Sequence, residues 1–290
     1  MKIGIIGAGK VGTAIGHAMK CKGLQVHAMS DIRQESLDIA APYLGKDCLY
    51  THNNQEVVQI SDIIAITTQD RAIRKVAQEI FESGITIKDK LFFHTSGAHS
   101  STILSPLEKK GAILGSLHPL QTFPDIESAI RVLPSTYVFI EGDESALGTL
   151  ELLGSAMGHK VVSIEGKQKV LYHLSAVFVC NLLCALLYSA EGIMDKINIE
   201  IEPFYPIIYA TLKNIEQKGP LMSLTGPVIR GDGETIMEHL RAMADMDTQK
   251  GIYKALSLVA LDMSQKRNVL DEEAVKALQA VLEGIYPVTM

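Results

Sequence analysis

Residues 1–12, Met-Lys-Ile-Gly-Ile-Ile-Gly-Ala-Gly-Lys-Val-Gly, carry an apolar run (Ile3, Ile5, Ile6) straight into a Gly-x-Gly-x-x-Gly turn, with Gly7, Gly9 and Gly12 at the glycine positions. A strand that turns into a helix through three such glycines makes a seat for a dinucleotide pyrophosphate. Gly7 permits a sharp turn, Gly9 lets backbone approach a phosphate, and Gly12 lets the helix close on the sheet. The first helical amides, near Lys10 and Val11, would then face the anion. Short glycine turns are common, so the context decides. Val11, Ile15, Ala18 and Met19 follow at helical spacing, and a second strand-like segment, 25–30, arrives where a β-α-β unit requires it.

Outward from this turn the pattern continues. Strand segments are expected at 2–6, 25–30, 63–67, 91–94, 113–117, 137–140 and 161–164, separated by helical stretches, as in a parallel sheet with crossover helices. After Gly166 the strands stop, and helices are expected at 167–197, 203–217, 234–244, 248–265 and 271–284. Pro203, Gly219-Pro220, Gly226-Pro227 and Gly231 to Gly233 supply the breaks. The expected class is therefore α/β: a doubly wound Rossmann domain over 1–165, then an all-helical substrate and dimerisation domain over 166–290.

With 290 residues the chain can bury two cores. A net charge of −6 and a pI near 5.9 argue against nucleic acid as a partner, since phosphate binding shows as a basic stripe. Glycines interrupt any N-terminal apolar run, so no signal peptide is expected and the cytoplasm is the expected compartment. The four cysteines, Cys21, Cys48, Cys180 and Cys184, lack disulfide or zinc spacing; Cys180 and Cys184 read as core thiols, and no metal is expected. The apolar stretch 174–190 is interrupted by Asn181 and closed by Glu191, which favours a helix buried in protein over a membrane span. Apolar faces on the C-terminal helices suggest a homodimer.

An acid at the end of the second strand usually accepts the ribose 2′-hydroxyl of NAD, whereas a small polar residue followed by a basic one suits a 2′-phosphate. Here Ser30 falls at the acid position and Arg33 follows, which favours NADP(H) over NAD(H). Asp31 between them reads as a cap for the helix beginning near Gln34. Thr67, Thr68 and Gln69 follow the third expected strand and would line the cofactor groove, with Asp70 open to a capping role. His94-Thr95-Ser96-Gly97 follows the next strand; Ser96 would stand near nicotinamide and substrate, or the segment is a plain Ser/Gly turn.

A Rossmann domain followed by helices resembles the 6-phosphogluconate dehydrogenase-like oxidoreductases. Segments 94–99, 111–123 and 224–232, with Thr235, His239-Leu240 and the helix from Tyr172-His173 to Asn181, resemble a group of Rossmann-like oxidoreductases with a helical C-terminal domain. That group is similar at greater distance to ketopantoate reductases and pyrroline-5-carboxylate reductases. The resemblance implies reduction of a small C=O or C=N compound by NADPH and leaves the substrate open.

Carbonyl reduction needs a proton donor at the oxygen and a clamp for a substrate carboxylate. Ketopantoate reductases bear a donor lysine and, two turns on, an asparagine. The resemblance aligns that asparagine with Asn181 and puts His173 at the donor position, with Lys169 one turn earlier as the other candidate. At about 100° per residue His173 and Asn181 lie about 80° apart on one helix. Asn181 in an apolar helix would need partners, and His173 would otherwise be a helix-start histidine bonded to backbone. His118, before Pro119, either touches substrate or is structural. Arg230 and Asp232 sit in a turn where the guanidinium could clamp a carboxylate, or they form a plain surface pair. Thr225 and Gly226 are similar to the Ser/Thr-Pro-Gly-Gly turn of pyrroline-5-carboxylate reductases and would offer hydroxyl and amides. The leading expectation is an NADPH-dependent reductase, with ketopantoate as the substrate. An imine reductase and a non-catalytic NADP(H)-binding sensor stand as alternatives.

Overall fold

The computed structural model describes residues 1–158 and 160–285, which form two compact units, Met1–Phe178 and a second beginning at Val179. In the first unit the elements alternate: β1 (Ile3–Ile6), α1 (Lys10–Cys21), β2 (Val26–Ser30), α2 (Gln34–Leu44), β3 (Leu49–Thr51), α3 (Asn54–Ile60), β4 (Ile63–Ile66), α4 (Asp70–Glu82) and β5 (Leu91–His94). There follow α5 (Ser105–Glu108), β6 (Ile113–Pro119), α6 (Ile126–Val132), β7 (Tyr137–Gly142), α7 (Glu144–Met157), β8 (Lys160–Ser163) and α8 (Lys169–Val179). The eight strands lie in the order β3-β2-β1-β4-β5-β6-β7-β8. The sheet reverses direction of growth beside β1, the crevice where such sheets bind ligands.

Strand periodicity sorts the core. Ile3, Ile5, Ile63, Ala65, Leu91 and Phe93 join one apolar cluster with Ile15, Met19 and Leu150. Their neighbours Ile6, Ile64, Ile66 and Phe92 join a second on the other face, with Val57, Ile73 and Ile80. Alternating side chains leave opposite faces of a strand, and both faces are covered, so the strands read as unbroken apolar runs.

Two features of the sheet differ from the sequence reading. The edge strand β3, only three residues long, leaves too short a signal to stand out in the sequence. β7 runs antiparallel to β6, with Pro119 opposite Val138 and Gly115 opposite Gly142, while β8 runs parallel to β7.

The second unit holds α9 (Asn181–Met194), α10 (Tyr205–Ser223), α11 (Gly233–Ala242), α12 (Asp247–Lys266) and α13 (Glu272–Glu283). Ile236, Leu240, Leu261, Leu278 and Leu282 form its core. The single helix expected over 167–197 is two, broken at Cys180 (φ −121°, ψ −70°), and the division between units falls at this break. The apolar stretch around it is not buried in the chain, contrary to the sequence reading. The most apolar 18-residue window within Gly166–Ile197 has a mean hydropathy of 2.1, and none of its residues is fully buried. Cys184 is likewise exposed and Cys180 only half-buried, so neither is a core thiol.

Candidate active site at the carboxyl ends of the strands

The glycine turn is built as its sequence requires. Gly7 has φ +111°, and a Cβ there would press on the Thr67 backbone at 2.9 Å. A Cβ on Gly12 would fall 2.1 Å from the Gly7 carbonyl oxygen, whereas above Gly9 nothing lies within 4 Å. The first bond inside α1 runs from the Thr13 N–H to the Gly9 oxygen, so the amides of Lys10, Val11 and Gly12 lead the helix free of intrahelical acceptors. Thr67 locks the turn from β4, its hydroxyl donating to the Gly7 oxygen at 2.7 Å. Thr68 follows with a buried hydroxyl that has no partner among the described residues. An open Gly9, free helix amides and an unpartnered hydroxyl are a cradle that fits a dinucleotide.

Asp31 is not the cap of α2, where Arg33 stands at the N-cap. Its carboxylate instead accepts the Ala8 and Arg33 amides, both at 2.9 Å, and so ties the glycine turn to the end of β2. Ser30 is fully buried and donates to Asn54 Oδ1 at 2.7 Å, so its hydroxyl is committed inside the fold. The Arg33 side chain is 67% exposed, with Nε 3.9 Å from Asp31. Gln69 is the N-cap of α4, and its side chain accepts from Arg71. Asp70, the first residue of α4, accepts the Ser96 hydroxyl at 2.9 Å instead of capping the helix.

Beyond β5 and β6 the first unit gathers a polar cluster. Lys169, which opens α8, is 1% exposed; its Nζ donates to the Ser96 carbonyl at 2.7 Å and to the Ser116 hydroxyl, and lies 3.9 Å from Glu141. Burial draws the ammonium down to about 8, and Glu141 and Asp70 oppose that shift. Glu141 is itself buried and accepts the Ser101 amide and hydroxyl at 2.7 and 2.9 Å. His94, the last residue of β5, is wholly buried and accepts the Ser96 amide at Nδ1 (3.1 Å). Burial, and then the charge of Lys169, push His94 down to about 3.

His118 and His173 meet at Gly97. A Cβ on Gly97 would lie 2.8 Å from His118 Nε2 and 2.9 Å from His173 Nδ1, so the missing side chain lets both rings close on the backbone. His118 Nδ1 lies 2.7 Å from the Tyr172 hydroxyl, and burial, followed by Lys169 and His173, keeps the ring neutral, down to about 3. His173 is not bonded to backbone: its Nδ1 is buried without a partner. Among the described residues no group of three His, Cys, Asp or Glu is disposed to hold a metal.

Within the second unit the remaining candidates are dispersed. Asn181 is the exposed first residue of α9, so its amide has no need of protein partners, against the sequence reading. Asp232 caps α11, accepting the Thr235 amide and hydroxyl at 3.1 and 2.8 Å, which hold its carboxyl below the usual range. Arg230, 63% exposed, stands 4.0 Å from Asp232, the geometry of a loose surface pair. Thr225 is exposed, and Gly226 takes φ +105°. Sequence reasoning missed Glu141 and gave Ser116 and Tyr172, which lie in the motifs of the resemblance, no role at the site. An acid within Tyr-Val-Phe-Ile-Glu-Gly and a serine within an apolar strand were the available signals for the first two.

Residues 1–119 match the Rossmann-like domain family, and residues 136–260 match a domain of unknown function, DUF2520. No curated protein matches the sequence. Among solved structures, a proposed NADP oxidoreductase from Bacteroides fragilis is 26% identical over 89% of this chain and 96% of its own, with a TM-score of 0.72. A Thermotoga maritima protein is 23% identical over 92% of this chain and 99% of its own, also at 0.72. A reductive aminase from Aspergillus terreus, in complex with NADPH and ethyl levulinate, is 14% identical over 98% and 99%, with a TM-score of 0.65. The last two carry the fold alone.

Proposed function

We propose that this chain, whose residues 1–119 match the Rossmann-like domain family and whose residues 136–260 match DUF2520, is an oxidoreductase that uses NADPH to reduce a small carboxylate-bearing carbonyl compound in the cytoplasm, with ketopantoate as the first substrate to test. The observation that carries this reading is the convergence of His118 and His173 on Gly97, beside a buried Lys169 bonded to Ser96. NADPH, bound at the glycine turn, would supply a hydride. The exposed Arg33 guanidinium is the group for its 2′-phosphate, with Asp31 occupied by the turn amides.

The chain's own residues supply the proton and the charge. His173 protonates the oxygen as negative charge develops on it, and His118 offers a hydrogen bond to the same atom. With Glu141 3.9 Å away, Lys169 commits two of its three N–H donors to the Ser96 carbonyl and the Ser116 hydroxyl. Its role is to hold the Ser96–Gly97 turn and to place an ammonium charge under it. The test is NADPH consumption by the purified protein with ketopantoate, beside an NADH control and pyrroline-5-carboxylate. Turnover of ketopantoate with NADPH supports the reading. Turnover of the imine alone moves the activity to C=N reduction, and tight NADPH binding without turnover of either compound leaves a sensor.

The functional form in this reading is a homodimer made through the C-terminal helices. α10 buries none of its residues in the chain, and Tyr205, Ile207, Tyr209 and Leu212 are all exposed on it. Large apolar side chains left open between α9 and the end of α10 expose on the order of 1,000 Å², more than a monomer usually leaves and about what one partner contributes to a stable dimer. An apolar groove of about 330 Å³ between α9 and α12, lined by Leu186, Ile193, Ile252 and Leu256, lies in the same unit. A surface that carries both apolar knobs and an apolar groove suits a second copy of itself.

A further inference from the structure

We infer that Tyr172 is a positioning residue that fixes the tautomer of His118, so that His118 presents Nε2–H as a donor at the Gly97 face. The inference rests on the reductase reading for its use, and on packing for its geometry. His118 lies near the end of β6, opposite Phe139 of β7. The Tyr172 ring stacks on Phe139, with centroids 4.3 Å apart at 35°, and meets the His118 ring edge-on at 5.7 Å and 79°. Two contacts therefore fix the tyrosine before its hydroxyl is considered. The hydroxyl then sits 2.7 Å from His118 Nδ1, its only hydrogen-bond partner among the described residues.

A neutral imidazole carries one N–H, and its two nitrogens cannot both donate. If Nδ1 donated to Tyr172, the phenol proton would have no acceptor in the described chain and Nε2 would turn a lone pair toward the site. If Tyr172 donates to Nδ1, the phenol proton is used and Nε2 bears the hydrogen. Only the second arrangement gives a donor where charge develops on a substrate oxygen. The surroundings of His118 agree: burial first, then the positive charges of Lys169 and of His173 when protonated, keep the ring in the neutral form this role needs. Burial raises the Tyr172 hydroxyl well above its ordinary value, so it keeps the proton it donates.

The test uses the full chain. Nitrogen-15 spectra of histidine-labelled protein should show His118 protonated at Nε2 and bare at Nδ1; the opposite tautomer overturns the inference whether or not any substrate is turned over. Tyr172→Phe, which keeps the ring on Phe139, should mix the tautomers and lower kcat by about tenfold to a hundredfold with NADPH affinity unchanged. His118→Gln places an amide donor that needs no tautomer. In that background Tyr172→Phe should cost nothing, and an equal loss in both backgrounds would show a structural tyrosine instead. Wild-type protein with the expected tautomer but no reductase activity would remove the reductase reading and leave the Tyr172–His118 pairing in place.

Discussion

Gly97 is the smallest residue in the cluster and the one on which its geometry turns. Gly97→Ala puts a methyl 2.8 Å from His118 and 2.9 Å from His173, so both rings must move. The predicted result is a fall in kcat of up to about a hundredfold with NADPH affinity retained, read from steady-state rates and nucleotide titration. His94 and His118 set a pH dependence of a different kind. Both are drawn from 6.5 to about 3, chiefly by burial. The unfolded chain takes up these protons where the folded chain does not, so stability is intact above about pH 6.5 and declines as the pH falls toward 3. Urea midpoints between about pH 6.5 and 5, above the carboxylate range, should drop, with the proton slope rising from about one at pH 6.5 to about two at pH 5; a flat midpoint would contradict the buried neutral pair. At this scale the sequence was legible where backbone freedom decides, at Gly7, Gly9 and Gly12. It was misleading where a side chain had a choice of partners: Ser30 turned inward to Asn54, Asp31 to the turn, and Asp70 to Ser96.

Elements around the site are held by single side chains at their ends. Lys90, just before β5, donates from Nζ to the Val58 and Ser61 carbonyls at 2.7 and 2.5 Å, closing the end of α3 where carbonyls lack partners. Lys90→Met should lower stability by about 1–2 kcal/mol without changing nucleotide affinity, measured by urea unfolding beside NADPH titration. Helix positions were legible from Gly and Pro punctuation, and most strands from apolar runs. The reversal of β7 was not legible, because its apolar run reads the same in either direction and no residue in it marks which way it pairs with β6. The break at Cys180 was hidden for a related reason: no Gly or Pro marks it, and the apolar pattern runs through it.

For the whole molecule, the surface of α10 decides the prediction. Light scattering should give twice 31.6 kDa for the wild type, and Ile207→Glu with Leu212→Glu should shift the mass toward one chain. A monomeric wild type that floats with liposomes would instead assign the apolar stretch to a membrane. The order of a strand-and-helix region followed by helices could be read from the chain because β-branched alternation stops at Gly166, whereas the division between the compact units falls later, at Phe178/Val179, where no change of pattern marks it. The substrate could not be read, because a pocket assembled from distant segments takes its shape from packing. The central claim is that His173 delivers a proton from the Gly97 face during reduction by NADPH. The most direct measurement is single-turnover NADPH oxidation by wild type and His173→Ala with ketopantoate, with nucleotide affinity measured in parallel. The account predicts a loss of about a hundredfold or more in the oxidation rate with unchanged NADPH affinity. Wild-type rates in the variant would contradict it.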